Sequence, residues 1–153
     1  MKKSFRRFLG LLGVSLALTG HAAGVLTPGQ RLSAEQIAQW GELPVYEIGA
    51  SQVRVIPSQQ AGSQVTLLIN AQGVVGSSRN EITISEAPAQ GVQTVLQQVT
   101  PAPLSVQQYE PTGITVARYA DFGQAVEGLR ALKAALPDAK VSLPVQFGKQ
   151  IPY

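Results

Sequence analysis

The sequence contains no cysteine and a single histidine, His21, and both shortages restrict the chemistry open to the protein. Without cysteine there is no disulfide, no thiol nucleophile and no thiolate ligand for a metal. His21 falls at the end of a predicted signal peptide, so the exported chain would have no imidazole either. Ser-His-Asp and Cys-His catalysis and zinc sites built on His or Cys are therefore excluded for the exported chain. We expect neither a metal nor a cofactor.

Carboxylates are the remaining route to an enzyme, and the spacing of the acidic residues does not favour it. Glu81 and Glu86 are separated by an odd number of positions along an extended segment, as are Glu42 and Glu47. The two members of each pair should therefore point to opposite faces. A glycosidase or another hydrolase stays open only if the fold brings distant carboxylates together. We predict that the protein is not an enzyme.

Charged residues are also scarce, at 14% of the chain, and they form no basic cluster outside the N-terminal segment. Four of the 12 Lys and Arg residues lie within residues 2–7. The exported chain would keep eight basic and nine acidic residues, a net charge of −1. Such a chain has little electrostatic means of holding nucleic acid or an anionic membrane surface. Neither is expected as a partner.

Residues 1–23 have the pattern of a secretory signal peptide. A basic start is followed by an apolar stretch over residues 8–18 and by small residues at Ala22 and Ala23, after either of which cleavage is expected. The apolar stretch is short for a membrane span, and a retained membrane anchor is the less favoured alternative. The sequence therefore predicts export, to the periplasm or the medium, with no stable membrane anchor after cleavage.

The rest of the chain divides by pattern into an N-terminal helix and strand extension, residues 24–63, and an α+β domain, residues 64–153. A capping box at Ser33 and Gln36 predicts a short helix over residues 34–40 that stops at Gly41. Strands are predicted at residues 53–55 and 65–69, and the turn at residues 70–73 favours a hairpin into Val74 and Val75. The serines at 77 and 78 are interpreted as part of a polar turn rather than as nucleophiles.

Two helices and four strands are predicted after residue 80. Apolar residues at helical spacing predict one helix that ends before Pro101 and a second one after Asp121. Strands are predicted at residues 81–85, 104–109, 114–119 and 140–147. The order βαββαβ indicates a ferredoxin-like fold, an α+β sandwich in which both helices cover one face of an antiparallel sheet. The predicted fold class is this sandwich with an N-terminal helix and β-hairpin extension. The residues that carry the two helical faces are Val92, Val95, Leu96 and Val99, and then Phe122, Val126, Leu129, Leu132 and Leu136.

Residues 113–119, 129–132 and 141–144 resemble the second half of the propeptide and inhibitor domains of subtilisin-like proteases. The resemblance covers roughly residues 80–153 and implies an inhibitor or chaperone of such a protease. In that family an extended C-terminal tail occupies the protease cleft like a cleavage product. Carried over, this implies a partner-binding role for Gln150, Ile151, Pro152 and Tyr153, with the Tyr153 side chain in the primary pocket. A frayed C-terminus without function is the alternative.

A second resemblance involves the stretch from Arg118 to Phe122 followed by Ala125, Val126 and Leu129. It is similar to the opening strand and helix of SPOR domains, which bind bacterial cell-wall glycan. In those domains a further unit follows, whereas here the chain ends. The sequence therefore predicts an exported binding domain with a protein partner, a subtilisin-like protease first, and a periplasmic envelope, cell-wall or secretion accessory module as the alternative.

Overall fold

The computed structural model describes residues 24–57 and 63–148, and within them the chain is α+β, with three α-helices and two antiparallel four-stranded sheets. The elements of the first half are α1 (Ala34–Ala38), β1 (Val45–Ile48), β2 (Ser51–Val55), β3 (Thr66–Asn70) and β4 (Val75–Ser78). Those of the second half are β5 (Glu81–Ser85), α2 (Ala89–Gln98), β6 (Ser105–Tyr109), β7 (Ile114–Arg118), α3 (Phe122–Ala135) and β8 (Lys140–Ser142). The first sheet has the strand order β1-β2-β3-β4 and the second the order β6-β7-β5-β8, and every neighbouring pair is antiparallel.

Helix α3 forms because its start is capped and one of its faces is continuously apolar. The Asp121 side chain accepts a hydrogen bond from the Gln124 amide at 2.8 Å, which satisfies one of the free donors at the helix start. The predicted buried face is confirmed: four of its residues are buried and Leu136 packs partly buried against them. The buried four are Phe122, Val126, Leu129 and Leu132, and the exposed face carries Glu127, Arg130 and Lys133 as expected.

Helix α2 also has an apolar face, narrower than that of α3, but no side chain caps its start. Val92 and Leu96 are buried, and Val95 and Val99 are half-buried against the same core. The helix ends at Gln98, ahead of Pro101, as the sequence predicts. Both helices contribute to one apolar cluster with the inward residues of the second sheet, so both pack on the same face of that sheet.

Helix α1 is shorter than predicted, ending at Ala38 rather than at residue 40. Its capping box is present: the Ser33 hydroxyl accepts from the Gln36 amide at 3.2 Å, and the Ser33 amide donates to the Gln36 side chain at 2.9 Å. The last turn loosens because Trp40 and Gly41 bond to carbonyls three residues back instead of four. Gly41 then leaves the helix with φ of 69°.

The first sheet is larger than the β-hairpin extension that the sequence predicts. The hairpin of β3 and β4 is present, and the Asn70 side chain stabilises its turn by accepting from the amides of Gln72 and Val74. Strand β2 extends this hairpin by pairing with β3. Strand β1 pairs with β2 in turn, across a tight turn in which Gly49 has φ of 60°. The sheet thus includes residues on both sides of the predicted division between residues 63 and 64.

Two predicted segments differ from the structure near the sheet ends. The strand predicted over residues 140–147 stops at Ser142, because Pro144 lacks the amide hydrogen that a continuing ladder needs. The serines at 77 and 78 belong to strand β4 rather than to a turn, and the turn itself is confined to Arg79 and Asn80. Asn80 takes the left-handed conformation there, with φ of 58°.

The two sheets share one main core. Val53 and Leu68 from the first sheet lie in the same buried cluster as the apolar residues of α2, α3 and the second sheet. An edge-to-face contact between the rings of Tyr46 and Phe122, with centroids 5.6 Å apart, links β1 to the start of α3. The opposite face of the first sheet packs in a second cluster against the N-terminal segment. That cluster contains Leu32, Leu43, Ile56, Ile69 and Val75, with Ile37 and Trp40 at its margin.

Candidate functional site

The second sheet has one face packed on helices and one face free of them among the described residues. Side chains alternate along β5, so Ile82 and Ile84 are buried under the helices whereas Glu81 and Thr83 point the other way. In β7 the outward residues are Val116 and Arg118, because Glu81 is opposite Arg118 and Thr83 is opposite Val116. We call the surface formed by these four outward residues the helix-free face. All four residues are half-buried.

The helix-free face is the floor of a cleft of about 600 Å³. Its walls include the end of strand β4 with the following Arg79 and the segment that leaves β8. Residues from the start of the described chain and Val65, just before β3, also line it. The lining comprises Thr27, Pro28, Val65, Ser77, Ser78, Arg79, Glu81, Thr83, Val116, Pro144, Gln146 and Gly148.

The charges on the floor are paired. The Arg118 guanidinium donates from Nε to Glu81 Oε1 at 3.0 Å and from Nη2 to the same oxygen, and its Nη1 donates to Gln64 Oε1 at 3.1 Å. Arg118 is 37% exposed, and a partly exposed pair of this kind contributes at most about 1 kcal/mol to stability. Its effect on the cleft is mainly geometric, because three hydrogen bonds hold the guanidinium in place and leave the floor without net charge.

The rim of the cleft is held by contacts between residues distant in sequence. The backbones of Ser77 and Gln146 exchange two hydrogen bonds, at 2.8 and 2.9 Å. The ring of Phe147 lies over Gly76, where an added Cβ would come within 2.6 Å of ring carbons, so glycine is the residue that lets the ring approach. These contacts fix residues 146 and 147 against β4 and place Gly148 at the cleft.

The serines of the cleft wall are not arranged as nucleophiles. Ser78 is buried and its hydroxyl accepts a hydrogen bond from the Asn80 amide at 3.2 Å. Ser77 is engaged through its backbone with Gln146. Within residues 24–57 and 63–148 no three acidic or histidine side chains come together as a metal would require. In the same ranges no helix is long and apolar enough to cross a bilayer.

The partner-binding residues predicted from the sequence, Gln150, Ile151, Pro152 and Tyr153, lie outside the described residues, as does the predicted signal peptide with His21. The cleft itself was not anticipated from the sequence. Its floor could have been found from the alternation in β5 and β7, which leaves Thr83 and Val116 on the outer face. Its walls come from segments as far apart in sequence as Thr27 and Gly148, and no local pattern indicates that they meet.

Comparison of the chain with protein-family models, with curated proteins and with solved structures gives no match.

Proposed function

We propose that this protein is an exported, non-enzymatic binding domain that inhibits or chaperones a subtilisin-like serine protease. The helix-free face of the second sheet is the docking surface, and residues 149–153 are the segment that enters the protease cleft. The observation that carries the proposal is the position of Gly148 in the lining of the cleft above the helix-free face. Because the following residues begin there, one partner could contact the sheet face and the tail together.

The topology supports this proposal. Under this proposal, residues 81–142 form a ferredoxin-like unit. Two observations support that assignment: the strand order β6-β7-β5-β8 and the packing of α2 and α3 on one face of the sheet. That is the arrangement implied by the resemblance to protease propeptide domains. The half-buried outer face, with Val116 and Thr83 beside the ion pair of Glu81 and Arg118, suits contact with a protein surface, since interface centres are depleted of unpaired charge.

The test is inhibition of a panel of subtilisin-like proteases by the protein produced from the full-length chain. Deleting residues 149–153 should abolish inhibition and leave the unfolding temperature nearly unchanged, because the secondary structure and the core described above lie within residues 24–148. Tyr153→Asp should weaken binding about 30-fold, equivalent to the loss of roughly 2 kcal/mol at a buried anchor. Gln52→Asp, an equal change of charge on an exposed strand residue outside the cleft lining, is the matched control and should leave inhibition intact.

Inhibition that survives the deletion would contradict the role of the tail. Absence of inhibition by the intact protein across the whole panel would contradict the protease as partner. The second outcome would favour the alternative, a periplasmic envelope, cell-wall or secretion accessory module, for which pull-down with purified peptidoglycan is the corresponding assay.

A further inference from the structure

Strand β6 lies at the edge of the second sheet, and it differs from the other edge strands in its exposure and composition. All five of its residues are exposed, and no described segment pairs with the side turned away from β7. The edge at β4 is covered, since residues 29–31 and Gln146 bond to it. Strand β1 carries Glu47 and the three-residue β8 carries Lys140, and charges of this kind discourage pairing with a further strand.

The composition of β6 favours pairing instead of preventing it. The strand contains no charged residue and no proline. Leu104, Val106 and Tyr109 are 69%, 43% and 43% exposed, so large apolar groups surround free backbone donors and acceptors. An exposed, uncharged edge strand with apolar side chains is a template for the addition of another strand.

The strand is also symmetric about its centre. Gln107 is the middle residue of β6, and Pro103 and Pro111 lie four positions before and after it. Two antiparallel copies centred on Gln107 would therefore pair Ser105 with Tyr109 and Val106 with the partner's Gln108 across the full strand. Each proline, which lacks an amide hydrogen, would mark the end of the ladder in both copies.

We propose that β6 pairs with β6 of a second copy of this chain, giving a two-fold dimer with a continuous eight-stranded antiparallel sheet. No like charges meet along the strand, so self-pairing is electrostatically neutral. The two-fold axis lies perpendicular to the sheet and keeps the helices of both copies on the same side. Val106 shares the helix-covered face, because it is opposite Ala117. The partner's Val106 would therefore face Gln108 at the mouth of the 420 Å³ groove between α2 and β6.

Disulfide trapping tests the register directly, because the chain has no cysteine of its own. Opposed residues in an antiparallel pair have Cα atoms about 4.5 to 5.5 Å apart, within the range that a disulfide spans. Gln107→Cys should therefore give a covalent dimer on mild oxidation. Gln52→Cys is the matched control: Gln52 is also an exposed strand residue, but β2 is flanked on both sides by strands. It should form covalent dimers at least about tenfold more slowly.

Sedimentation equilibrium tests the dimer without a cross-link. The protein should show a concentration-dependent dimer, and Gln107→Lys, which places two ammonium groups opposite each other, should raise the dissociation constant at least about tenfold. Gln52→Lys should not change it. A monomer throughout the concentration series, or equal cross-linking at positions 107 and 52, would overturn the proposal and assign the strand to a segment of a different protein. Neither readout depends on protease inhibition, so this proposal and the proposed function fail separately.

Discussion

Gly91 and Gly128 are both helical glycines, and their surroundings are opposite. A Cβ added at Gly91 in α2 would meet nothing within 4 Å. At Gly128 in α3 it would come within 2.5 Å of the Tyr119 ring, which is itself buried in the core. The second glycine is therefore required by packing, whereas the first only weakens its helix.

The same substitution at these two glycines should change stability in opposite directions. Gly91→Ala should raise the free energy of unfolding by about 0.4 to 1 kcal/mol, because alanine loses less conformational entropy in a helix. Gly128→Ala gains the same propensity but must displace an aromatic ring, and it should lower the free energy of unfolding by about 1 to 3 kcal/mol. Urea denaturation of both variants measures the difference. Equal stabilisation at both sites would show that the ring does not pack on Gly128.

Because Tyr119 is buried, the free energy of unfolding should fall as the pH becomes alkaline. Its hydroxyl is buried without a hydrogen-bond partner among the described residues, and burial raises the pKa of its phenol above the usual value near 10. The stabilising effect of keeping this phenol protonated is complete below pH 10. It is lost as the pH rises above 10, because the unfolded chain releases the proton more readily than the folded one.

Tyr119→Phe should therefore flatten the loss of stability above pH 10. At neutral pH the substitution should change the free energy of unfolding by less than about 1 kcal/mol, since the hydroxyl that is removed has no partner to lose. Tyr109→Phe, at an exposed position, is the control and should keep the alkaline dependence of the original protein. Thermal unfolding between pH 8 and 11 measures both variants; identical slopes for Tyr119→Phe and the original protein would contradict this role of burial.

At the scale of the element, α3 shows how far a periodic pattern determines structure. Leu129 is 4% exposed and Arg130 next to it is exposed, as the spacing predicts. Leu129→Ala should lower the free energy of unfolding by about 2 to 5 kcal/mol, through lost burial and the cavity left behind. Arg130→Ala should change it by less than about 0.5 kcal/mol. Similar losses at the two positions, measured by chemical denaturation, would mean that the helix presents a different face to the core.

The elements that could be predicted are those whose signal is local. Helix caps and apolar helix faces depend on residues only three or four positions apart. The caps at Ser33 and Asp121 and the apolar faces of α2 and α3 are present in the structure. The first sheet was incompletely predicted: residues 53–55 of β2 were predicted as a strand, but the pairing of β2 with β1 depends on the turn at Gly49. The early end of β8 depends on the backbone of Pro144, which the apolar pattern of residues 140–147 conceals.

At the scale of the whole molecule, the first sheet is part of the structural core. Val53, Leu68 and Tyr46 pack against α3 and the second sheet. This packing places β4 beside the helix-free face and so creates the wall of the cleft. A sequence pattern reveals the floor of the cleft at most, because its walls form only where segments distant in sequence meet. The candidate docking surface was therefore found from the structure, whereas the role of the C-terminal tail was proposed from the sequence.

The most direct test of the central claim is the affinity of a subtilisin-like protease for a variant of the helix-free face. Val116→Arg adds an unpaired charge to the cleft floor, and we expect the dissociation constant to rise at least about tenfold in a calorimetric titration. Gln93→Arg, on the exposed face of α2, should bind like the original protein. Thr83→Arg, opposite Val116 in the sheet, repeats the test if the first variant loses thermal stability. Unchanged affinity of folded Val116→Arg and Thr83→Arg variants would contradict the claim that this face binds the partner.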